Sequence, residues 1–297
     1  MLFSIIIPVY NRANLLKATI QSVLAQDYSN FEIIVVDDGS TDDVVSVVNS
    51  IPDKRIQFIK QENKERGAAR NTGIKNAHGA YVSFLDSDDY VYPFFLSEAF
   101  KWLEKLNLPQ VFASNFEVRT DTHIIMASGF DPNLLTLNTA LITQGNIMAC
   151  SGVMVRRDIA LTNLFSENRT LSGSEDYELW LRLACRYPIY CSPKVSHSII
   201  QHPDRSVLTM NPQKLINRQL TFLQLAAGNP QLTATFPNAI PFLEYEAYSY
   251  IALHLALSKK EFTKILYFLS KSLAAKPQRI FRKRTAAIIK HLLLFAF

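Results

Sequence analysis

Three acids fall within four residues at Asp86-Ser87-Asp88-Asp89, directly after a short apolar run. A second acidic pair, Asp37-Asp38, follows another such run, and Tyr10-Asn11-Arg12 follows a third. Carboxylates spaced one apart in a loop suit a hard divalent cation, Mg2+ or Mn2+. Such a cation takes oxygen ligands and bridges one or two carboxylates to substrate phosphates. It also neutralises charge that develops on a departing diphosphate. Helix capping is the competing account for Asp37, Asp42 and Asp89. Capping does not explain three acids in four residues. The chain contains neither GxGxxG nor GxxxxGK, and only nine glycines in all, so no glycine-rich backbone cradle for phosphate is expected. The cation must then do the phosphate handling.

A second acidic motif, Glu175-Asp176, opens an apolar-periodic segment from Tyr177 that Pro188 stops. A hydroxyl is a weak nucleophile, and a carboxylate within hydrogen-bond reach can take its proton as it attacks. The like charge of Glu175 can raise the pKa of its neighbour. Asp176 also stands where a helix cap would stand, and the two roles can coexist.

These residues need a scaffold that gathers strand ends. Phe3–Val9, Phe31–Val36, Ile56–Lys60 and Tyr81–Leu85 read as buried strands, with helices expected over Asn14–Gln26, from Thr41 or Asp42 through Val48, and over Gly67–Ala77. Such alternation implies crossovers and a mostly parallel sheet, with ligands beyond the carboxyl ends of its strands. Downstream the pattern is mixed, with strands expected at Val111–Phe116, His123–Ala127 and Val153–Val155 and a helix at Tyr177–Tyr187. From Pro212 onward helices follow one another between prolines, with a hairpin expected from Glu244–Ser258 and Lys260–Ala275. A domain boundary is expected near Met210.

The string SIIIPVYNRANLLKATIQSVLAQDYSNFEIIVVDDGSTDD, then GAARNTGIKNAHGAYVSFLDSDD, resembles the N-terminal half of family-2 glycosyltransferases of the GT-A fold. The block Gly173-Ser174-Glu175-Asp176-Tyr177-Glu178-Leu179-Trp180-Leu181-Arg182 resembles the family's acceptor-side motif. The resemblance covers roughly residues 1 to 205. It implies an α/β fold: a Rossmann-like, mostly parallel central sheet flanked by helices, with a helical C-terminal extension. The expected division is residues 1–210 for the transferase domain (1–100 the nucleotide-sugar half, 101–210 the acceptor half) and 211–297 for the helical region. The resemblance further implies that Pro8, Val9, Tyr10 and Asn11 line the nucleotide pocket and that Asp38 binds base or ribose. It puts Arg70 near the diphosphate, and Asp86-Ser87-Asp88 in the DXD position, with Asp88 on the metal and Asp86 nearer the ribose or the metal shell. Asp176 is the implied general base, Glu175 and Trp180 lie on the acceptor side, and His202 joins the metal or diphosphate. The implied reaction moves one sugar from a nucleoside-diphosphate sugar, a UDP-sugar first of all, to a glycan or lipid-linked acceptor by a single inverting displacement. Trp102 and Trp180 are the only tryptophans and neither follows an arginine, so the QxxRW motif of processive synthases is absent. Two alternatives remain at this point. A nucleotidyltransferase would bring a loop rich in glycine and in lysine or arginine where Pro-Val-Tyr-Asn-Arg stands. A non-catalytic nucleotide-sugar-binding protein would not need Asp86, Asp88 and Asp176 together.

Bulk properties fit a globular chain of one or two domains: 297 residues, 48% hydrophobic and 19% charged. The net charge of +5 is unevenly spread. No acid follows Glu261, whereas eight basic residues do, leaving about −3 for the rest (+5 less 8). No nucleic-acid partner is expected. Arg279, Arg282, Lys283 and Lys290 fall near one side of a helix at ~100° per residue, with Arg284 off that side and Phe281, Ile288, Leu292 and Phe295 opposite. That pattern suits an anionic membrane surface. Three cysteines without CxxC spacing fit a reducing compartment. With no signal peptide or spanning segment recognised, a cytoplasmic protein, peripheral on the inner face of the membrane, is expected.

Overall fold

The computed structural model describes residues 1–120, 122–202, 211–258 and 261–293. It separates into two compact units: Met1–Asn138 with Asn146–Arg205, and Thr139–Gly145 with Ser206–Phe297. The expected boundary near Met210 lies outside the described residues.

The first unit begins with β1 (Phe3–Val9), α1 (Ala13–Leu24), β2 (Phe31–Asp37), α2 (Val44–Asn49), β3 (Ile56–Lys60), α3 (Glu65–Asn76) and β4 (Tyr81–Phe84). β1 pairs in parallel with both β2 and β4, and β2 with β3. Every residue of β1 and β4 is buried, as the unbroken apolar runs anticipate for strands covered on both faces. α3 lies close on β1 because Gly73 lacks a side chain. A Cβ there would come within 2.3 Å of Ile6 Cγ2. α2 is capped by Asp43, whose Oδ1 accepts from Ser46 N at 3.1 Å, and not by Thr41 or Asp42. Asp42 instead accepts from Ala13 N at 2.7 Å and caps the first turn of α1.

The chain continues through β5 (Tyr90–Val91), α4 (Phe95–Lys105), β6 (Val111–Arg119), β7 (Ile124–Met126), α5 (Asn138–Leu141), β8 (Val153–Arg156), α6 (Arg157–Thr162), α7 (Glu175–Ala184) and β9 (Ile189–Ile200). The sheet runs β3-β2-β1-β4-β8-β6-β9-β5, with β7 beside β6. It is parallel among its first four strands and mixed beyond them. β8 is antiparallel to β4 and β6, β5 is antiparallel to β9, and β6 and β9 are parallel. The expected mostly parallel sheet therefore holds for the first four strands of the order and gives way to a mixed one. A core of Ile5, Ile7, Leu16, Ile20, Ile33, Val35, Leu96 and Phe112 holds one face of the sheet.

The second unit contains α8 (Pro212–Ala227), α9 (Pro230–Thr235), α10 (Ala239–Leu257), α11 (Phe262–Ala275) and α12 (Lys283–Leu293). Asn211 and Asn229 cap α8 and α9 ahead of Pro212 and Pro230, so those two prolines start helices. α10 and α11 form the expected hairpin over a core of Ile251, Leu255, Ile265, Phe268 and Ile288. The tail is not one amphipathic helix. A 3₁₀ turn, Pro277–Phe281, precedes α12 and breaks the expected face. Arg279 turns inward, placing Nη1 3.1 Å from Glu246 Oε1 and Nη2 2.9 Å from Thr143 O. Arg284 pairs with the other Glu246 oxygen at 2.7 Å. Phe281, expected on the apolar side, is 93% exposed, whereas Ile288 is buried. Phe295 lies outside the described residues.

Candidate active site

The carboxyl ends of β1, β2 and β4 deliver the three polar groups to one edge of the sheet. Pro8 and Val9, the last residues of β1, are buried, and beyond them Tyr10 stands 48% exposed. Asn11 adopts a left-handed φ of 52°. Its Oδ1 accepts from Thr41 N at 2.8 Å, and its backbone N–H donates to Ser40 Oγ at 3.0 Å. Asn11 thus ties the β1 loop to the β2 loop. Asp38 is buried, with Oδ1 accepting from Gln61 Nε2 at 2.7 Å and from Lys64 N at 2.9 Å. Burial outweighs those bonds and pushes its carboxyl above the ordinary value. Gly39 permits the turn with φ +78°, and a Cβ there would sit 2.8 Å from Asn63 N. Asp37 closes that turn by accepting from Ser40 N at 2.8 Å.

The turn after β4 sorts its acids by job. Asp86 faces Arg70, with 2.7 Å from Nη2 to Oδ1. Asp88 meets two groups at one oxygen: Arg12 Nη1 forms an ion pair with Oδ2, and His202 Nε2 lies 2.9 Å from it. Ser87 is buried, and its carbonyl accepts from Thr19 Oγ1 at 2.9 Å. Asp89 caps no helix. It is buried and accepts from Ser151 Oγ at 2.6 Å and from Ile200 N at 3.3 Å, anchoring the turn to β9 and to the loop before β8.

α7 starts at the second acidic motif. Glu175 is buried, with Oε1 2.7 Å from Arg70 Nη1. Burial alone would raise its pKa, but the Arg70 and Arg66 charges outweigh that and hold the carboxyl below the ordinary value. Asp176 is partly exposed. Its Oδ1 accepts from Tyr177 N at 2.7 Å. Burial, then the neighbouring Glu175 charge, push its carboxyl up to about 6. The two adjacent acids are therefore driven apart, Glu175 firmly ionised and Asp176 poised near neutrality, a separation typical of acid–base sites.

Arg70 joins the two motifs. Its guanidinium is 1% exposed and spans from Asp86 to Glu175, so it is engaged by carboxylates rather than left facing a diphosphate. Trp180, expected on the acceptor side, is fully buried and packs edge-to-face on Phe165 with ring centroids 6.1 Å apart. It belongs to the core under the site. Arg70 thus ties Asp86 to Glu175, beside which Asp176 stands, while Asp88 and His202 meet separately two residues on from Asp86. Sequence reasoning passed over Arg12, whose only signal was its place directly after Asn11, and over Asp89 as an anchor.

Among the described residues no group of three or more His, Cys, Asp or Glu side chains forms a ready metal cage. Asp88 and His202 nevertheless converge, with Asp86 two residues from Asp88. One carboxylate and one imidazole, completed by phosphate oxygens and water, fit Mn2+ better than Mg2+, which takes oxygen ligands.

A sequence profile described as glycosyl transferase family 2 matches residues 4–162. The chain is 40% identical over 190 residues to an uncharacterized glycosyltransferase of Rickettsia felis, covering 63% of this chain and 31% of that protein. It is 36% identical over 183 residues to an Escherichia coli protein, covering 61% of this chain and 70% of the relative. That relative is named UDP-Glc:alpha-D-GlcNAc-diphosphoundecaprenol beta-1,3-glucosyltransferase WfaP. The matches span about a third of the length of three of the Rickettsia relatives. Among solved structures, S. aureus TarS 1–349 in complex with UDP-GlcNAc aligns with TM-score 0.73 at 19% identity, covering 100% of this chain and 91% of that one. The mannosyltransferase PcManGT from Pyrobaculum calidifontis, in complex with GDP-Man and Mn2+, aligns with TM-score 0.60 at 19% identity, covering 99% and 87%. At that identity the structural likeness speaks for the fold, an α/β GT-A arrangement.

Proposed function

The chain belongs to glycosyl transferase family 2, and on that footing we propose that it moves one sugar from a UDP-sugar to a glycan or lipid-linked acceptor by a single inverting displacement. The observation that carries this reading is the Arg70 bridge, which gathers the Asp86–Asp88 turn and the Glu175–Asp176 motif on one cluster. The choice of a UDP-sugar and of a lipid-linked acceptor leans on WfaP, whose name carries both, and on TarS, solved with UDP-GlcNAc.

Asp176 is the proposed base. At neutral pH it is ionised, yet it is more basic than an ordinary aspartate, so it can accept the acceptor hydroxyl's proton as attack proceeds. Glu175 keeps its charge through Arg70 and sustains the raised pKa next door. In this reading Pro8, Val9, Tyr10 and Asn11 line the nucleotide side, and Asp38 is the acceptor for base or ribose. Ser87 holds the turn between the two DXD acids. Asp88 and His202, with Asp86 near, would hold the divalent cation, which when bound supplies positive charge to the leaving diphosphate.

The basic C-terminal region is proposed to meet an anionic membrane, on its cytoplasmic face, where a lipid-linked acceptor would be found. Among the described residues no helix is long and apolar enough to cross a membrane. The test of the activity is release of nucleoside diphosphate from a panel of nucleotide-sugars with Mn2+. Turnover with one donor supports a transferase. Tight donor binding with no turnover on any donor or acceptor would make the chain a nucleotide-sugar binder instead.

A further inference from the structure

The Asp88 carboxylate already has a cation. Arg12 Nη1 pairs with Oδ2, and His202 Nε2 stands 2.9 Å from the same oxygen. The Asp88 side chain is only 5% exposed and that of Arg12 22%. Water screens such a pair poorly, and a charge-assisted bond in this setting is among the stronger polar contacts. Arg12 is also firmly placed. It is the residue at the N-cap of α1, between Asn11, which holds the β2 loop, and Ala13, whose N–H is held by Asp42 at 2.7 Å.

A divalent cation ligated by Asp88 meets that guanidinium on the same carboxylate. Arginine cannot shed its charge, so the two cations compete for one anion. A nucleoside diphosphate resolves the conflict because it brings enough negative charge for both. We propose that Arg12 is an internal counter-cation that holds Asp88 until a divalent cation arrives together with a nucleoside diphosphate, so that cation and nucleotide bind as a coupled pair. Arg12 is a positioning residue in this scheme: it acts on Asp88 and makes cation binding depend on the nucleotide. The inference rests on the cation reading above.

The test measures Mn2+ binding to the full chain by the loss of the free-ion electron paramagnetic resonance signal, with and without UDP. The wild type should bind Mn2+ weakly alone and at least about tenfold more tightly with saturating UDP. Removing the competitor in Arg12→Gln should tighten Mn2+ binding without UDP by about tenfold and shrink the UDP dependence. Arg12→Lys keeps the charge and should stay close to the wild type. An unaltered thermal melt shows that each variant is folded. If Arg12→Gln binds Mn2+ alone no better than the wild type does, Arg12 is not a competitor and the proposal falls while the cation site stands. If the wild type binds UDP but no Mn2+ in its presence, the cation site falls too.

Discussion

Asp176 is proposed as the base and Asp88 as a cation ligand, and their amide variants should separate the two roles. Asp176→Asn keeps the shape but cannot take a proton. Transfer should drop by ~10²–10⁴-fold while donor affinity, read by titration calorimetry, stays near the wild-type value. Loss of donor affinity instead would move Asp176 out of the base role. The pH dependence has a definite sign. A base raised to about 6 is protonated below that value, so the transfer rate should climb through pH 6 and level above it. A rate flat from pH 5 to 8 would contradict it. Asp88→Asn should cut Mn2+-dependent transfer by at least ~10²-fold and weaken Mn2+-dependent donor binding. Full activity with Mn2+ still required would overturn the ligand assignment. The carboxylates were legible in the sequence because acids crowded into a short turn have few structural excuses. Their partners were not. Arg12 meets Asp88 across 76 positions and Arg70 meets Glu175 across 105, and no local pattern encodes such pairings.

Strand and helix types were readable where periodicity is clean. β1 and β3 run over the residues expected, and β2 runs one residue longer. α4 carries no clear sequence signal, because the aromatic run Tyr90–Phe95, broken by Pro93, hides its start. β9 carries no strand signal in the sequence because it does not alternate. Pro193 and Lys194 are looped out where Ser192 faces Ser114 and Val195 faces Asn115, and the Asn115 amide donates to Pro193 O at 3.2 Å to support the bulge. That bulged strand leads the chain to His202. At this scale Gly73 makes a sharp test. Alanine gains up to about 1 kcal/mol of helix propensity over glycine. Forcing α3 off Ile6 costs about 1–3 kcal/mol. The clash should win, so Gly73→Ala should lower the midpoint of thermal unfolding. A raised midpoint would mean that Ile6 gives way freely.

For the molecule as a whole, charge separates along the sequence. Residues 211–297 carry twelve Lys and Arg against three Glu, a net of +9, and the remaining 19 basic and 23 acidic residues sum to −4. In the second unit Arg279 and Arg284 are folded in on Glu246, so of the basic residues described from 277 onward Arg282, Lys283 and Lys290 are exposed. Beside them in sequence stand the exposed apolar residues Ile280, Phe281, Ile289 and Leu293. Full-length protein should co-sediment with vesicles containing anionic lipid, and salt should weaken the binding. Phe281→Ala should loosen it by up to about 3 kcal/mol, and loss of residues 278–297 should abolish it. Protein that stays in the supernatant at low salt would assign the tail to another task. The buried Arg70 bridge has a different consequence, for how the first unit can be divided. One guanidinium neutralises Asp86 from the first hundred residues and Glu175 from far beyond them. A fragment ending near residue 100 would strand that charge without half of its counterions, at about 3–5 kcal/mol, a large part of an ordinary domain's stability. The fragment would also leave β4 without β8 along its edge. The nucleotide half is therefore not a self-standing module: the first unit should unfold in one cooperative step, and a protease should find no cut within it that leaves a folded nucleotide-binding core.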